Sequence, residues 1–255
     1  MSIDILGVGF DSLTAEQAVL RAIEVMRSGK KAYIVTPNPE IVWKARRGGD
    51  LLTALNNAWL VLPDGIGIIL AAKILGRPLR SGRVPGIDFA ESLLKEMAET
   101  GGRVFLLGAK PGIATEAGEK LADKYHGLII SGATDGYFTD AEAAISQINQ
   151  TPTDLVLVCL GSPKQELWMA EYGGRLNASL CIGLGGSLDV FAGKTKRAPA
   201  FFRRFGVEWL YRLIREPYRI KRMIKLPLFV LAVLWTRIIG SQTDVEKRSL
   251  RGRNG

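Results

Sequence analysis

The sequence is short of the residues that most chemistry in proteins depends on. Its 255 residues hold two cysteines and a single histidine, His126. A disulfide framework or a cysteine–histidine metal cluster is therefore excluded. Cys159 and Cys181 both fall inside apolar runs and read as small core residues of a protein kept in a reducing compartment. There is no Ser/His/Asp or Cys/His nucleophile pattern, no phosphate-binding G-x-x-x-x-G-K-[ST] loop and no G-x-G-x-x-G fingerprint. There is also no D-x-D pair, the usual means of holding a metal on a nucleotide-sugar diphosphate. Met1–Phe10 has no basic stretch leading into a long apolar one, so a signal peptide is not expected. The longest apolar run, Leu226–Thr236, is far short of the roughly 20 residues that cross a bilayer.

What is present is a core-forming composition, 47% apolar, with an uneven charge. The net charge is +9. Between Lys194 and Gly240 stand twelve basic residues against Glu208 and Glu216 only, and the last fifteen residues add four basic and two acidic. Residues 1–193 are left with −3. The sequence thus divides into a mildly acidic domain, 1–193, and a strongly basic appendage, 194–255.

Within 1–193, short apolar runs rich in β-branched residues occur at Ile3–Gly9, Ala32–Thr36, Trp59–Leu62, Val104–Leu107, Leu128–Ser131, Leu155–Leu160 and Leu180–Leu184. Segments with helical spacing lie between most of them, at Ala15–Met26, Phe89–Met97, Ile113–Leu121 and Ala141–Ile148. Thr14 and Gln17 form a capping-box pattern, and Gly101-Gly102 stops a helix ahead of the strand at Val104. This alternation predicts an α/β fold: a mostly parallel, Rossmann-like sheet with helices on both faces. Ligands then bind in the loops at the carboxyl ends of the strands.

Read by that rule, Thr36-Pro37-Asn38-Pro39 offers a hydroxyl and an amide for a sugar, although Asn38 before Pro39 is equally a helix cap. Asp64, in Pro63-Asp64-Gly65, is placed to act as general base on a hydroxyl; on spacing alone an ordinary turn aspartate is the stronger reading. Arg83 in a Gly/Pro-rich loop suits a phosphate or plain solvent. Gly108–Gly112 could receive phosphate on backbone N–H groups, and Gln165 in Gly161–Glu166 can both donate and accept. Gly185–Asp189 is the last such loop.

In the appendage, Arg212, Arg215, Arg219 and Arg222 recur at helical steps of three and four along one face, with Pro217 as a break. The apolar run beside them has no purpose in nucleic-acid binding. A basic helix followed by a short apolar one is the form of an interfacial anchor on an anionic membrane surface.

Taken together, Thr36-Pro-Asn-Pro-Glu40, Pro63-Asp-Gly65, Arg83 with Pro85-Gly86, Asp135-Gly-Tyr-Phe138, Gly161-Ser-Pro-Lys-Gln-Glu166, Arg197-Ala-Pro199 and Glu208-Trp-Leu-Tyr-Arg212 with Glu216-Pro217 resemble the WecG/TagA/CpsF glycosyltransferases. The motifs run in order over nearly the whole chain. The resemblance implies an inverting transfer of N-acetylmannosamine or a relative from a UDP donor to N-acetylglucosamine carried on undecaprenyl diphosphate. It implies no cofactor and no metal, in keeping with the missing D-x-D. By position it makes Asp64 the base, with Thr36 and Asn38 orienting the sugars and Gln165 touching the donor. Tyr137 and Asp189 would flank the nucleotide, and Arg83, Arg212, Arg219 and Arg222 would neutralise diphosphate charge. The implied location is the cytoplasmic face of the cell membrane, bound peripherally. Whether the chain forms a homo-oligomer is left open by the sequence. A Rossmann-type oxidoreductase and a non-catalytic membrane-binding module are the rival readings.

Overall fold

In the computed structural model, residues 2–79, 82–215, 220 and 225–251 are described, without the side chains of residues 212 and 240–251. The chain opens on a hairpin, β1 (Ser2–Ile5) and β2 (Val8–Asp11), paired antiparallel. The apolar run Ile3–Gly9 is expected as one strand. It folds back instead because Leu6 and Gly7 both take positive φ, 54° and 90°, the backbone of a tight hairpin turn. Asp4 Oδ1 accepts the Gly7 N–H across that turn.

The remaining strands form one parallel sheet. In chain order they are β3 (Ala32–Val35), β4 (Leu60–Val61), β5 (Arg103–Gly108), β6 (Ile129–Thr134), β7 (Leu155–Cys159) and β8 (Leu180–Gly183). In space the order is β4-β3-β8-β7-β5-β6, with every pair parallel. Successive residues alternate between the two faces, as the period of two requires. Val35, Phe105, Leu107, Val156, Val158 and Cys181 join one buried cluster; Ile34, Val104, Leu106, Leu155, Leu157 and Ile182 join the other.

The helices cover both faces. The second cluster is closed by α1 (Ala15–Arg27), α5 (Gly86–Ala98), α6 (Ile113–Lys124) and α9 (Ser187–Phe191). The first holds α2 (Pro39–Ala45), α3 (Asp50–Asn56), α4 (Ile66–Ile74), α7 (Ala141–Asn149) and α8 (Lys164–Tyr172), together with the inward side chains of the hairpin. The predicted capping box at Thr14 and Gln17 is made in both directions at the start of α1. Both cysteines are free and buried, and loss of solvation pushes each thiol up to about 12, which leaves them inert core residues.

Beyond the sheet come α10 (Ala200–Arg204), α11 (Glu208–Arg215) and α12 (Lys225–Arg251). Phe229 and Val233 of α12 are buried in the same cluster as α2 and α4, and the helix packs on both. Its orientation follows from two contacts: α12 starts beside the loops that begin α2 and α4, and Arg237 Nη1 reaches the Leu75 carbonyl just past the end of α4. The two helices therefore run the same way. Among the described residues no helix is long and apolar enough to cross a membrane.

Candidate active site

The strands β5 and β7 are neighbours, yet β5 leads into α6 on one face of the sheet and β7 into α8 on the other. A divergence of this kind opens a crevice at the carboxyl ends of the strands. At its floor the backbones nearly touch. Gly108 has φ 130°, and a Cβ there would lie 2.3 Å from the Cys159 carbonyl oxygen, so only glycine fits.

A cleft of about 440 Å³ opens on this same edge, over the loops that follow β3, β4, β7 and β8. Thr36, Asn38, Asp64, Arg83 and Gln165 all line it. Five of the ten residues singled out in the sequence thus meet, from four separate loops. Gly86 makes the meeting tight: a Cβ there would lie 2.7 Å from Thr36 Oγ1 and 3.2 Å from Leu184 Cδ2.

Each of these side chains is held by the protein in a definite way. Thr36 Oγ1 donates to the Gly183 carbonyl at 3.3 Å, tying the end of β3 to that of β8 and keeping its lone pairs for a ligand. Asn38 Oδ1 accepts the N–H groups of Glu40 and Ile41 at 3.0 and 3.1 Å, with Pro39 at the first turn. The cap reading is correct, and such a cap contributes about 1 kcal/mol. It also fixes the amide so that its NH₂ end is the part left for a sugar. Asp64 is half-buried immediately after β4, where its own N–H meets the Pro37 carbonyl.

Arg83 is engaged by the chain's own appendage. Its Nη1 pairs with Glu208 Oε1 at 3.0 Å and its Nη2 donates to the Arg203 carbonyl. Gly206, Glu208, Trp209 and Leu226 complete the cleft wall, so the start of the appendage closes one side of it.

Other expected residues lie elsewhere. Tyr137 is exposed in the loop after β6, its N–H donating to Asp135 Oδ1 at 2.8 Å, and it does not line the cleft. That loop does border the crevice at β5, because a Cβ at Gly136 would lie 3.3 Å from Gly108 Cα. Asp189, in the first turn of α9, stands behind Gly186, which lines the cleft while Asp189 itself does not. The side chain of Arg212 and the whole of Arg219 and Arg222 are outside the described residues.

Sequence reasoning gave no role to Lys44 or Glu166. Lys44 lines the cleft from α2, paired with Glu40 at 3.2 Å. Its signal was the i, i+4 spacing from Glu40, which ordinarily marks a solvated helix face. Glu166 is 2% exposed, and burial pushes its carboxyl above the ordinary value. An acid in a helix's first turn reads as a complement to the helix dipole, which hid it.

An α/β sheet with a cleft of hydroxyl, amide, carboxylate and cationic groups at its carboxyl edge has the place and the polar lining of a ligand site in this fold class. The chain belongs to the glycosyl transferase WecG/TagA/CpsF family, which it matches over residues 3–243. It is a glycosyltransferase. It is 41% identical over 205 residues, 80% of this chain and 79% of the relative, to a Bacillus spizizenii protein. That protein is named N-acetylglucosaminyldiphosphoundecaprenol N-acetyl-beta-D-mannosaminyltransferase. A Staphylococcus aureus protein of the same name is 34% identical over 230 residues, 89% of this chain and 90% of the relative. The family membership sets aside the oxidoreductase and the non-catalytic readings.

Proposed function

We propose that this chain transfers N-acetylmannosamine, or a closely related sugar, from a UDP donor to N-acetylglucosamine linked through diphosphate to undecaprenol. The reaction belongs to the synthesis of a teichoic acid-type cell-wall polymer or surface polysaccharide. The observation that carries the proposal is the convergence of Asp64, Thr36, Asn38, Arg83 and Gln165 on one cleft. The names of the relatives supply the sugar and the acceptor.

Asp64 takes the proton from the acceptor hydroxyl as that oxygen attacks the anomeric carbon opposite the leaving UDP, which inverts the centre. Thr36 and Asn38 orient the sugars, and Gln165 touches the donor. The nucleotide extends toward the crevice between β5 and β7, with Tyr137 at its border and Asp189 behind the Gly185-Gly186 loop. Negative charge develops on the UDP as the bond breaks, and arginine can meet it without a metal. Arg83 is at the cleft for this purpose; a diphosphate there competes with Glu208 for the guanidinium. Arg212, Arg219 and Arg222 of the basic appendage supply further charge.

The appendage also holds the enzyme at the cytoplasmic face of the membrane, where the lipid acceptor resides. Leu228, Leu231, Trp235 and Ile238 of α12 follow steps of three, four and three and are all exposed. With the flanking cations they form an interfacial surface. The test is a transfer assay: purified chain, UDP–N-acetylmannosamine and a prenyl-diphosphate-N-acetylglucosamine acceptor should yield UDP and a lipid-linked disaccharide. Absence of both products across a panel of UDP-sugars contradicts the proposal.

A further inference from the structure

Gln165 and Glu166 are consecutive residues in the first turn of α8 and both are buried, at 4% and 2% exposure. Neighbours on a helix point about 100° apart, so this turn is enclosed on two sides. Gln165 Oε1 accepts the Gly185 N–H at 2.9 Å, and Gln165 Nε2 donates to Glu166 Oε1 at 2.9 Å. The first bond fixes which end of the amide is which, because a backbone N–H only donates. The second holds the same orientation from the other side. One Nε2 hydrogen is left over, on a side chain that lines the cleft.

Glu166 is not itself part of the cleft lining. Its Oε2 is buried and has no hydrogen-bond partner among the described residues; neither does Ser162 Oγ, which lies close enough to favour the charged carboxyl without hydrogen-bond geometry. A buried carboxyl group with one oxygen unpaired is costly, and an apolar side chain of similar volume would cost less. Burial of this carboxyl therefore works against fold stability. Among the described residues, the side-chain hydrogen bond that Glu166 makes is with Gln165.

We propose that Glu166 is a positioning residue that fixes the Gln165 amide, so that the cleft presents an N–H donor at this point. The cleft then favours an oxygen that only accepts, such as a phosphoryl or amide oxygen of the sugar nucleotide, over a hydroxyl that must donate. The inference rests on the reading that Gln165 touches the donor.

The test uses the full chain with UDP–N-acetylmannosamine and the lipid-linked acceptor, and the variants Glu166→Leu, Glu166→Gln, Gln165→Ala and Glu166→Leu/Gln165→Ala. Losing one oriented hydrogen bond should raise the donor KM about tenfold in Glu166→Leu. The acceptor KM should not move. Gln165→Ala should show the same split, and the double variant should be no worse than Gln165→Ala. Glu166→Gln keeps an accepting oxygen and should stay within about threefold of the parent. Additive losses, or a fall in kcat alone with both KM values unchanged, overturn the proposal. Hydrogen exchange at the Gly185 amide provides a readout independent of activity. It should quicken in Glu166→Leu, and unchanged protection there also overturns the proposal. If Gly185 responds to Glu166 but the parent transfers no sugar, the positioning stands and the donor reading falls.

Discussion

Two carboxyl groups outside the catalytic proposal are shifted in opposite directions, and the physics of each predicts an opposite pH dependence. Asp154 accepts Arg103 N, Nε and Nη2 at 2.8, 3.0 and 2.7 Å, and these bonds hold its carboxyl below the ordinary range. Its contribution is therefore present above the unfolded value of about 3.9 and is lost as pH falls through the folded value. The pair is partly exposed, so Asp154→Asn should cost only about 1 kcal/mol at pH 7, or 2–4 °C in a thermal melt, and nothing in strong acid. Glu166 behaves in the reverse sense. Burial raises its folded value, so its stability is full below about pH 4.3 and is lost as pH rises through the raised value. Glu166→Gln should melt no lower than the parent at pH 7–8, and any gain should close as pH approaches 4.

The cleft lining was legible at this scale where a motif sets a polar group between the end of a strand and the first turn of the next helix, as with Thr36, Asn38, Asp64 and Gln165. It was not legible where function depends on what lies opposite. Nothing in the spacing indicates that Arg83 faces Glu208, 125 residues away, or that Glu166 turns inward.

At the scale of elements, the middle of the sheet was legible because β7 and β8 are continuous apolar runs, buried throughout, and β5 is one after Arg103, the pattern of strands covered on both faces; β6 at the edge, with Ser131, Gly132 and Thr134, is only partly buried. The N-terminal hairpin was not, because the pattern of Ile3–Gly9 leaves its reversal unmarked: the turn needs a positive φ at Leu6, a residue that carries no such signal. Helix α12 shows the same limit. Its sequence reads as one short apolar run for a membrane surface, while the fold divides that run into two stripes, one packed on the core and one exposed. The two stripes should respond differently. Phe229→Ala removes a fully buried ring and should cost about 3–5 kcal/mol in denaturant unfolding. Trp235→Ser, at a residue 65% exposed, should stay within about 0.5 kcal/mol.

For the molecule as a whole, the separation of charge matters more than its total. Residues 1–193 carry net −3 and residues 194–255 net +12, and the exposed apolar stripe lies on the basic part. Each cation near an anionic surface contributes about 1 kcal/mol, and salt screens it over about 10 Å at 0.1 M. The chain should therefore sediment with vesicles containing anionic lipid, and less so as salt rises. Leu231→Ser/Trp235→Ser should weaken sedimentation without lowering the melting temperature. Equal binding to neutral vesicles at high salt would contradict the electrostatic part of this account.

The proposed function turns on one act at one cleft, the removal of a proton by Asp64. The most direct measurement is the rate of sugar transfer by Asp64→Asn beside the parent, with UDP affinity and melting temperature recorded for both. A general base at Asp64 predicts a fall of at least about 100-fold in rate with UDP affinity and melting temperature unchanged. A rate within a few-fold of the parent would contradict it.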